Sequence, residues 1–112
     1  MKIYPFHIAD NGVLTHTRGD TSQFELNVQL DGMPLTEYDA VFSVKKDPED
    51  TVYLYQVHFD ESTPCIISHD LTADMPFGDY WWDVQLTYIK DGATQYKTIG
   101  AFPYILRPDV TD

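Results

Sequence analysis

Apolar and polar residues alternate along much of this chain with a period of two. The clearest case runs from Asp79 to Ile89, where large side chains occupy every second position: Tyr80, Trp82, Val84, Leu86 and Tyr88. Side chains at alternate positions of a β-strand lie on one face of the sheet. We therefore predict that this segment is the main strand and that these five side chains face one core.

The same alternation, interrupted by turn residues such as Asp31-Gly32 and Asp91-Gly92, predicts further strands. They cover residues 2–8, 13–17, 24–30, 40–45, 52–59, 65–67 and 95–106. The first two are expected to form an opening hairpin, and the short apolar run 65–67 is expected to be fully buried. The alternation of the last strand changes phase around Gly100, which predicts a bulge, and Pro103 predicts that the far end of this strand lies at an edge.

These strands predict one domain, residues 1–112, with an all-β fold: an immunoglobulin-like antiparallel β-sandwich of seven to eight strands. A chain of 112 residues normally has one core, and 43% of its residues are hydrophobic. Cys65 is its single cysteine. Without an intramolecular disulfide, packing must hold the two sheets together.

The segment before the main strand predicts a tight crossover between sheets. Leu71 is expected to contact the core after one short helical turn, which Asp70 or Thr72 would cap. Pro76 and Gly78 would then turn the chain, so that the Tyr80 hydroxyl could bond to the backbone upstream while Trp82 packs between the sheets. This arrangement resembles the tyrosine corner of immunoglobulin-like and fibronectin type III domains.

Several short motifs between residues 17 and 111 carry a resemblance to a family. They are Arg18-Gly19-Asp20-Thr21, Phe42-Ser43-Val44-Lys45-Lys46-Asp47, Asp70-Leu71-Thr72, Pro76-x-Gly78-x-Tyr80-x-Trp82-Asp83-Val84-Gln85-Leu86 and Pro108-Asp109-Val110-Thr111. Together they resemble immunoglobulin-like domains of phage and prophage tail and baseplate proteins of Gram-positive bacteria, most nearly the N-terminal domain of baseplate upper proteins. The resemblance implies a non-catalytic structural role in the virion, through docking to other tail or baseplate proteins or to copies of itself.

Charge and hydropathy limit the partners that we expect. The net charge is −11, from 18 acidic and 7 basic residues, which opposes binding to nucleic acid phosphates. The acidic residues fall mainly in turns, which favours solvated turns over a DNA-mimicking face. No apolar run is long enough to span a membrane, and the N-terminus does not form a signal peptide. We therefore expect a protein that stays in a reducing compartment and binds no nucleic acid and no membrane, and the resemblance to phage proteins implies that it is made in the bacterial cytoplasm.

No residue pattern predicts catalysis or a cofactor. The histidines lack zinc-site spacing, and Cys65 lies in an apolar run that predicts a buried thiol. Calcium binding by acidic turns stays an open alternative, for which the candidates are Asp47, Glu49 and Asp50 or Asp70, Asp74 and Asp79. Arg18-Gly19-Asp20 matches an integrin-binding tripeptide but is also ordinary turn chemistry, the interpretation that we prefer. We predict no enzyme activity.

The surplus of aromatic residues, 14% of the chain, predicts an interaction surface. We place Trp81, Tyr53, Tyr55 and Tyr88 on it, with Tyr96 and Tyr104 as further candidates. Trp81 is expected to be the most exposed, because it lies on the strand face opposite Tyr80 and Trp82. Such a surface would suit a protein partner, and the alternative is a carbohydrate-binding or adhesion module in which these rings stack on sugars.

Overall fold

The computed structural model describes residues 6–25, 29–30 and 32–108 of the chain. The described residues form ten strands and one short helix. In chain order these are β1 (His7–Ile8), β2 (Leu14–Thr17), β3 (Ser22–Phe24), β4 (Gln29–Leu30), β5 (Met33–Pro34), β6 (Asp39–Lys45), β7 (Tyr55–Asp60), β8 (Cys65–Ile67), α1 (His69–Thr72), β9 (Gly78–Lys90) and β10 (Ala93–Arg107).

Six of these strands form one sheet, in the order β1-β2-β10-β9-β6-β7, and β3 with β8 forms a smaller one. The predicted opening hairpin is present in its described part, since β1 pairs antiparallel with β2, and residues 2–5 of the predicted first strand lie outside the described residues. One pairing differs from the prediction of an antiparallel sandwich: β2 and β10 are parallel. These two strands are far apart in sequence, so no tight hairpin restricts their relative direction. The chain is nearly all β and sandwich-like, which confirms the predicted fold class.

The core lies between the two sheets, on the predicted face of β9. Tyr80, Trp82, Val84 and Leu86 are all buried, and Tyr88 is half-buried against the same cluster. The small sheet covers this face, because the ring of Phe24 on β3 packs edge-on against Phe42 of β6 at a centroid distance of 5.4 Å. Aromatic pairs in this geometry add to the stabilisation that burial provides.

The main contact of the tyrosine corner predicted before β9 is present. The Tyr80 hydroxyl donates a hydrogen bond to the Pro76 carbonyl oxygen at 2.6 Å. Gly78 has a φ of 142°, a value that residues with a Cβ rarely adopt. Trp82 is also fixed by a polar contact, since its Nε1 donates to the carbonyl oxygen of Gly12 at 2.9 Å.

The short helical turn is present, but its predicted cap is wrong. The N-cap position of α1 is Ser68, and neither Asp70 nor Thr72 caps the helix. Thr72 instead accepts a hydrogen bond from the Gly19 amide at 2.9 Å, which ties the helix to the turn after β2. Leu71 packs against the core as predicted, although it is only partly buried.

Three strand predictions need correction. The segment 24–30 is not one continuous strand: β3 ends at Phe24, β4 begins at Gln29, and Leu26 and Val28 lie outside the described residues. The strand predicted at residues 52–59 begins only at Tyr55. Residues 65–67 are half-buried rather than fully buried, because the side chain of Ile66 points to solvent and is 45% exposed.

The bulge at Gly100 is confirmed, but the edge predicted by Pro103 is wrong. The register between β9 and β10 shifts between Gly100 and Phe102. Beyond Pro103, the far end of β10 lies inside the sheet, because residues 104–107 pair with β2. Proline is tolerated at position 103 because this residue pairs with β9 but not with β2. The missing N–H of Pro103 therefore leaves no carbonyl oxygen of β2 without a donor.

The corner contact predicts the effect of Tyr80→Phe. The variant loses the hydrogen bond to Pro76 and leaves that carbonyl oxygen without this donor, so the free energy of unfolding should fall by about 1–2 kcal/mol. Urea unfolding measures the change, with Tyr96→Phe as the control at a hydroxyl on the surface. Equal stability of the wild type and Tyr80→Phe would show that the corner does not stabilise the fold.

Candidate functional site

The β9–β10 hairpin has free backbone edges on both sides. On one side, β6 begins at Asp39, which pairs with Thr87, so Tyr88 and Ile89 of β9 extend past it. On the other side, β2 pairs with β10 only from Tyr104 onward. No described strand pairs with residues 93–103 along that side of β10. Free edges of this kind present unpaired N–H and C=O groups to a partner.

Two large apolar side chains lie on the surface of this hairpin. Ile89 is 73% exposed and Tyr96 is 70% exposed. Ile89 pairs with Thr94 and Tyr96 pairs with Thr87, which places both side chains on the sheet face opposite the core. The hairpin therefore combines unpaired backbone with exposed apolar surface.

The four residues predicted to form an interaction surface are not brought together. Trp81 and Tyr88 are half-buried, Tyr53 is 39% exposed, and Tyr55 is 7% exposed. Trp81 and Tyr88 lie on opposite faces of β9. The placement of Tyr55 on the surface is wrong, because its side chain lies in the core and its hydroxyl donates a hydrogen bond to the Tyr104 hydroxyl. Tyr104 is fully buried as well.

Trp81 lies in a mixed aromatic and polar part of the outer sheet face. Its neighbours in register are Lys45 on β6 and Pro103 on β10. The Lys45 ammonium lies 5.1 Å above the ring of Tyr53 and 3.5 Å from a carboxylate oxygen of Asp83. This surface offers two aromatic rings beside an ion pair.

A hydrogen-bonded chain of three side chains crosses the core. Tyr55 donates to Tyr104 at 2.9 Å, and the Tyr104 oxygen lies 2.6 Å from His16 Nδ1. The single hydroxyl proton of Tyr104 is then donated to His16 Nδ1. His16 therefore carries its own proton on Nε2, which lies 3.2 Å from the Asp20 carbonyl oxygen. This direction of hydrogen bonding uses a neutral imidazole. Burial accordingly lowers the pKa of His16 from its usual value.

Other titratable groups are held in structural roles. The Cys65 thiol is buried in an apolar environment that raises its pKa to about 12, so it stays protonated at neutral pH. In the acidic turn after β6, a carboxylate oxygen of Asp50 accepts a hydrogen bond from the Asp47 amide. Within residues 6–25, 29–30 and 32–108, no three histidine, cysteine, aspartate or glutamate side chains are arranged to hold a metal ion.

The Arg18-Gly19-Asp20 tripeptide forms an ordered turn between β2 and β3. The Arg18 guanidinium lies 4.1 Å above the ring of Phe77. The Asp20 amide donates to the Thr17 carbonyl oxygen at 3.1 Å, and the Asp20 carbonyl oxygen faces His16. These contacts support its interpretation as a turn.

Two open grooves lie beside the start of β6. Their volumes are about 320 and 330 Å³, and both are lined by Tyr38 and Glu61. Burial raises the pKa of Tyr38, and the nearby carboxylates of Glu61, Asp60 and Glu25 raise it further. The grooves are acidic, and Ile89 near the tip of the hairpin lines one of them.

Analysis of the sequence missed Ile89 and the free edge of β10. Period-two alternation places Ile89 on the outer face, yet it cannot show where neighbouring strands end. Gly100 and Pro103 are the residues that could have indicated this free edge, because both mark positions where the pairing along β10 changes.

Comparison of the chain with protein-family models, with curated proteins and with solved structures finds no match. The part of the chain that the structure describes contains no helix with the length and apolar character to cross a membrane. Any function must therefore be argued from the geometry of the chain itself.

The neutral state of His16 predicts a loss of stability in mild acid. Because its pKa is lower in the folded state than the usual 6.5, the unfolded chain binds a proton more readily. The free energy of unfolding should therefore fall as the pH drops through 6.5, until the pH reaches the folded pKa. Urea unfolding between pH 8 and 5 measures this slope, above the range in which carboxylates titrate.

His16→Gln serves as the control, because glutamine retains hydrogen-bonding groups but cannot titrate. Its stability should fall less than that of the wild type across this window. A proton NMR titration that gave His16 a pKa of 6.5 or higher in the folded protein would contradict the assignment.

Proposed function

We propose that this chain is a non-catalytic structural module that acts by docking to other proteins. The β9–β10 hairpin carries this proposal, because it presents free backbone edges together with exposed Ile89 and Tyr96. Added strands and buried apolar anchors are two common means by which β-domains bind proteins. Following the motif resemblance, we further propose that the partners are phage or prophage tail or baseplate proteins and that the module is a virion component.

The position of the reactive side chains supports a non-catalytic role. Catalysis requires a positioned nucleophile or acid/base group in a concave, accessible site. The Cys65 thiol and the His16 imidazole are both fully buried, with exposures of 0%. Tyr55 and Tyr104 lie in the same core, where burial raises the pKa of each hydroxyl.

Docking through the hairpin predicts a specific loss of binding. The purified chain should bind at least one tail or baseplate protein encoded beside it, as measured by biolayer interferometry. The double variant Ile89→Asp/Tyr96→Asp should weaken binding about tenfold or more, since burial of one large apolar side chain contributes about 1.5–3 kcal/mol.

Val52→Asp is the matched control, because Val52 is 74% exposed but lies outside the hairpin. It adds one carboxylate and should leave the affinity unchanged. If no neighbouring tail protein binds the wild type, the proposed role is refuted. Equal weakening by Val52→Asp and the double variant would place the docking surface elsewhere.

Carbohydrate binding is a second candidate, favoured by the surface around Trp81. The half-buried ring of Trp81 and the exposed ring of Tyr53 lie near the Lys45–Asp83 ion pair, which offers both stacking and hydrogen bonding to a sugar. In this case a saccharide should change the tryptophan fluorescence, and Trp81→Ala should abolish the change, because Trp82 is only 5% exposed. Unchanged fluorescence across a panel of bacterial cell-wall saccharides would exclude this candidate.

A further inference from the structure

The free edge of β10 is a regular strand between two defined ends. It begins after the tight turn at Asp91 and Gly92, which both have positive φ, and its regular part runs to Ile99, before the irregularity at Gly100. Beyond that point the turn between β1 and β2 packs against Phe102, so closely that a Cβ at Gly12 would overlap the ring. Residues 93–99 therefore form an accessible edge of about 23 Å.

This edge lacks most of the features that normally protect an exposed strand. Proteins guard such edges with prolines, bulges and charged side chains. Among residues 93–99, Lys97 is the single charged residue and there is no proline. Within the described sheet, the competing edge at β1 covers only His7–Ile8, and the edge at β7 ends with an aspartate, Asp60.

The charge around this edge permits two copies of the chain to approach each other there. Residues 84–106 contain only three charged side chains, Lys90, Asp91 and Lys97, which give a local charge of +1. The rest of the chain therefore carries −12, since the total is −11. The hairpin is where electrostatic repulsion between two copies is weakest.

We infer that residues 93–99 of β10 pair antiparallel with the same residues of a second copy of this chain, about a twofold axis that passes between the two Tyr96 side chains. This inference rests on the proposed docking function and names one partner, the chain itself. The two six-stranded sheets then join into one continuous sheet across the interface.

The register follows from the ends of the strand and from its one charge. Tyr96 is the midpoint of residues 93–99, so an axis at Tyr96 pairs every residue of the free edge. Lys97 then faces Gln95 of the other copy, and Thr98 faces Thr94. An axis at Lys97 would instead oppose two ammonium groups, which is unfavourable for directly paired residues.

The symmetry of this contact limits the assembly to two chains. An isologous interface uses the same surface on both partners, so each copy has its β10 edge satisfied once the pair has formed. The hairpin turn at Asp91 and Gly92 then faces Gly100 and Ala101 of the other copy. The paired segment of each copy thus ends just before the β1–β2 turn of the other copy, the turn that covers Phe102.

Cysteine cross-linking tests the register. Tyr96→Cys should form a disulfide-linked dimer under mild oxidation, because the two Cα atoms facing each other in an antiparallel pair lie within disulfide range. The native Cys65 is buried and does not compete. Two control variants should form no disulfide-linked dimer: Thr98→Cys, which the register separates from its own copy by four positions along the strand, and Ile89→Cys, which is equally exposed but lies on β9.

Sedimentation equilibrium of the purified chain tests the pairing itself. The apparent mass should rise with concentration from 12.9 kDa towards twice that value. Tyr96→Asp should abolish the rise by opposing two carboxylates on the axis, whereas Ile89→Asp, on the same face but off the edge, should retain it.

A chain that stays monomeric at every concentration but still binds a tail protein would overturn the pairing and leave the docking function standing. A dimer that binds no tail protein would support the pairing and refute the docking function. Efficient cross-linking of Thr98→Cys or Ile89→Cys would overturn the Tyr96 register.

Discussion

The burial of one face of β9 is the constraint on which the rest of the structure depends. The hydrophobic effect favours the burial of the four large side chains on this face, and they are buried because the face packs against the second sheet: Tyr80, Trp82, Val84 and Leu86. Because side chains alternate along a strand, this requirement also fixes the opposite face, where Trp81 and Ile89 lie. A shift of one residue in the register would reverse the whole arrangement.

The same strand explains why the hairpin has a free backbone edge. β9 and β10 are longer than the strands that flank them, because β6 begins at Asp39 and β2 meets β10 only from Tyr104 onward. The hydrophobic core thus anchors one end of the hairpin, and along the other end no strand of the described residues pairs with the outer edge of β10. In this account, the free backbone of β10 is a direct consequence of unequal strand lengths, and its near-neutral charge is what makes association possible in an otherwise acidic chain.

Alternation in the sequence was sufficient to predict the all-β class, the main strand and the bulge at Gly100, whereas the contact of Tyr80 was predicted from the turn residues before β9 and their resemblance to a tyrosine corner. The surface assignment of Tyr55 was wrong although alternation places its side chain on the same face of β7 as Val57 and Phe59, which is the core face. Tyr55 is buried because it meets Tyr104 and, through it, His16, and all three are distant in sequence. The end of each neighbouring strand, which creates the free edge, is likewise set by long-range pairing. The virion role stays a hypothesis that rests on short motifs and on the character of the hairpin.

The central claim is that residues 93–99 form a free edge in the single chain and a paired edge in the assembly. Amide hydrogen exchange of the purified chain at low and high concentration measures this directly, residue by residue. The account predicts that alternate amides of residues 93–99 exchange fast in dilute solution and become protected as concentration rises, while the amides of Trp82 and Val84 are protected throughout. Uniform protection of residues 93–99 at all concentrations, or fast exchange of them at all concentrations, would contradict it.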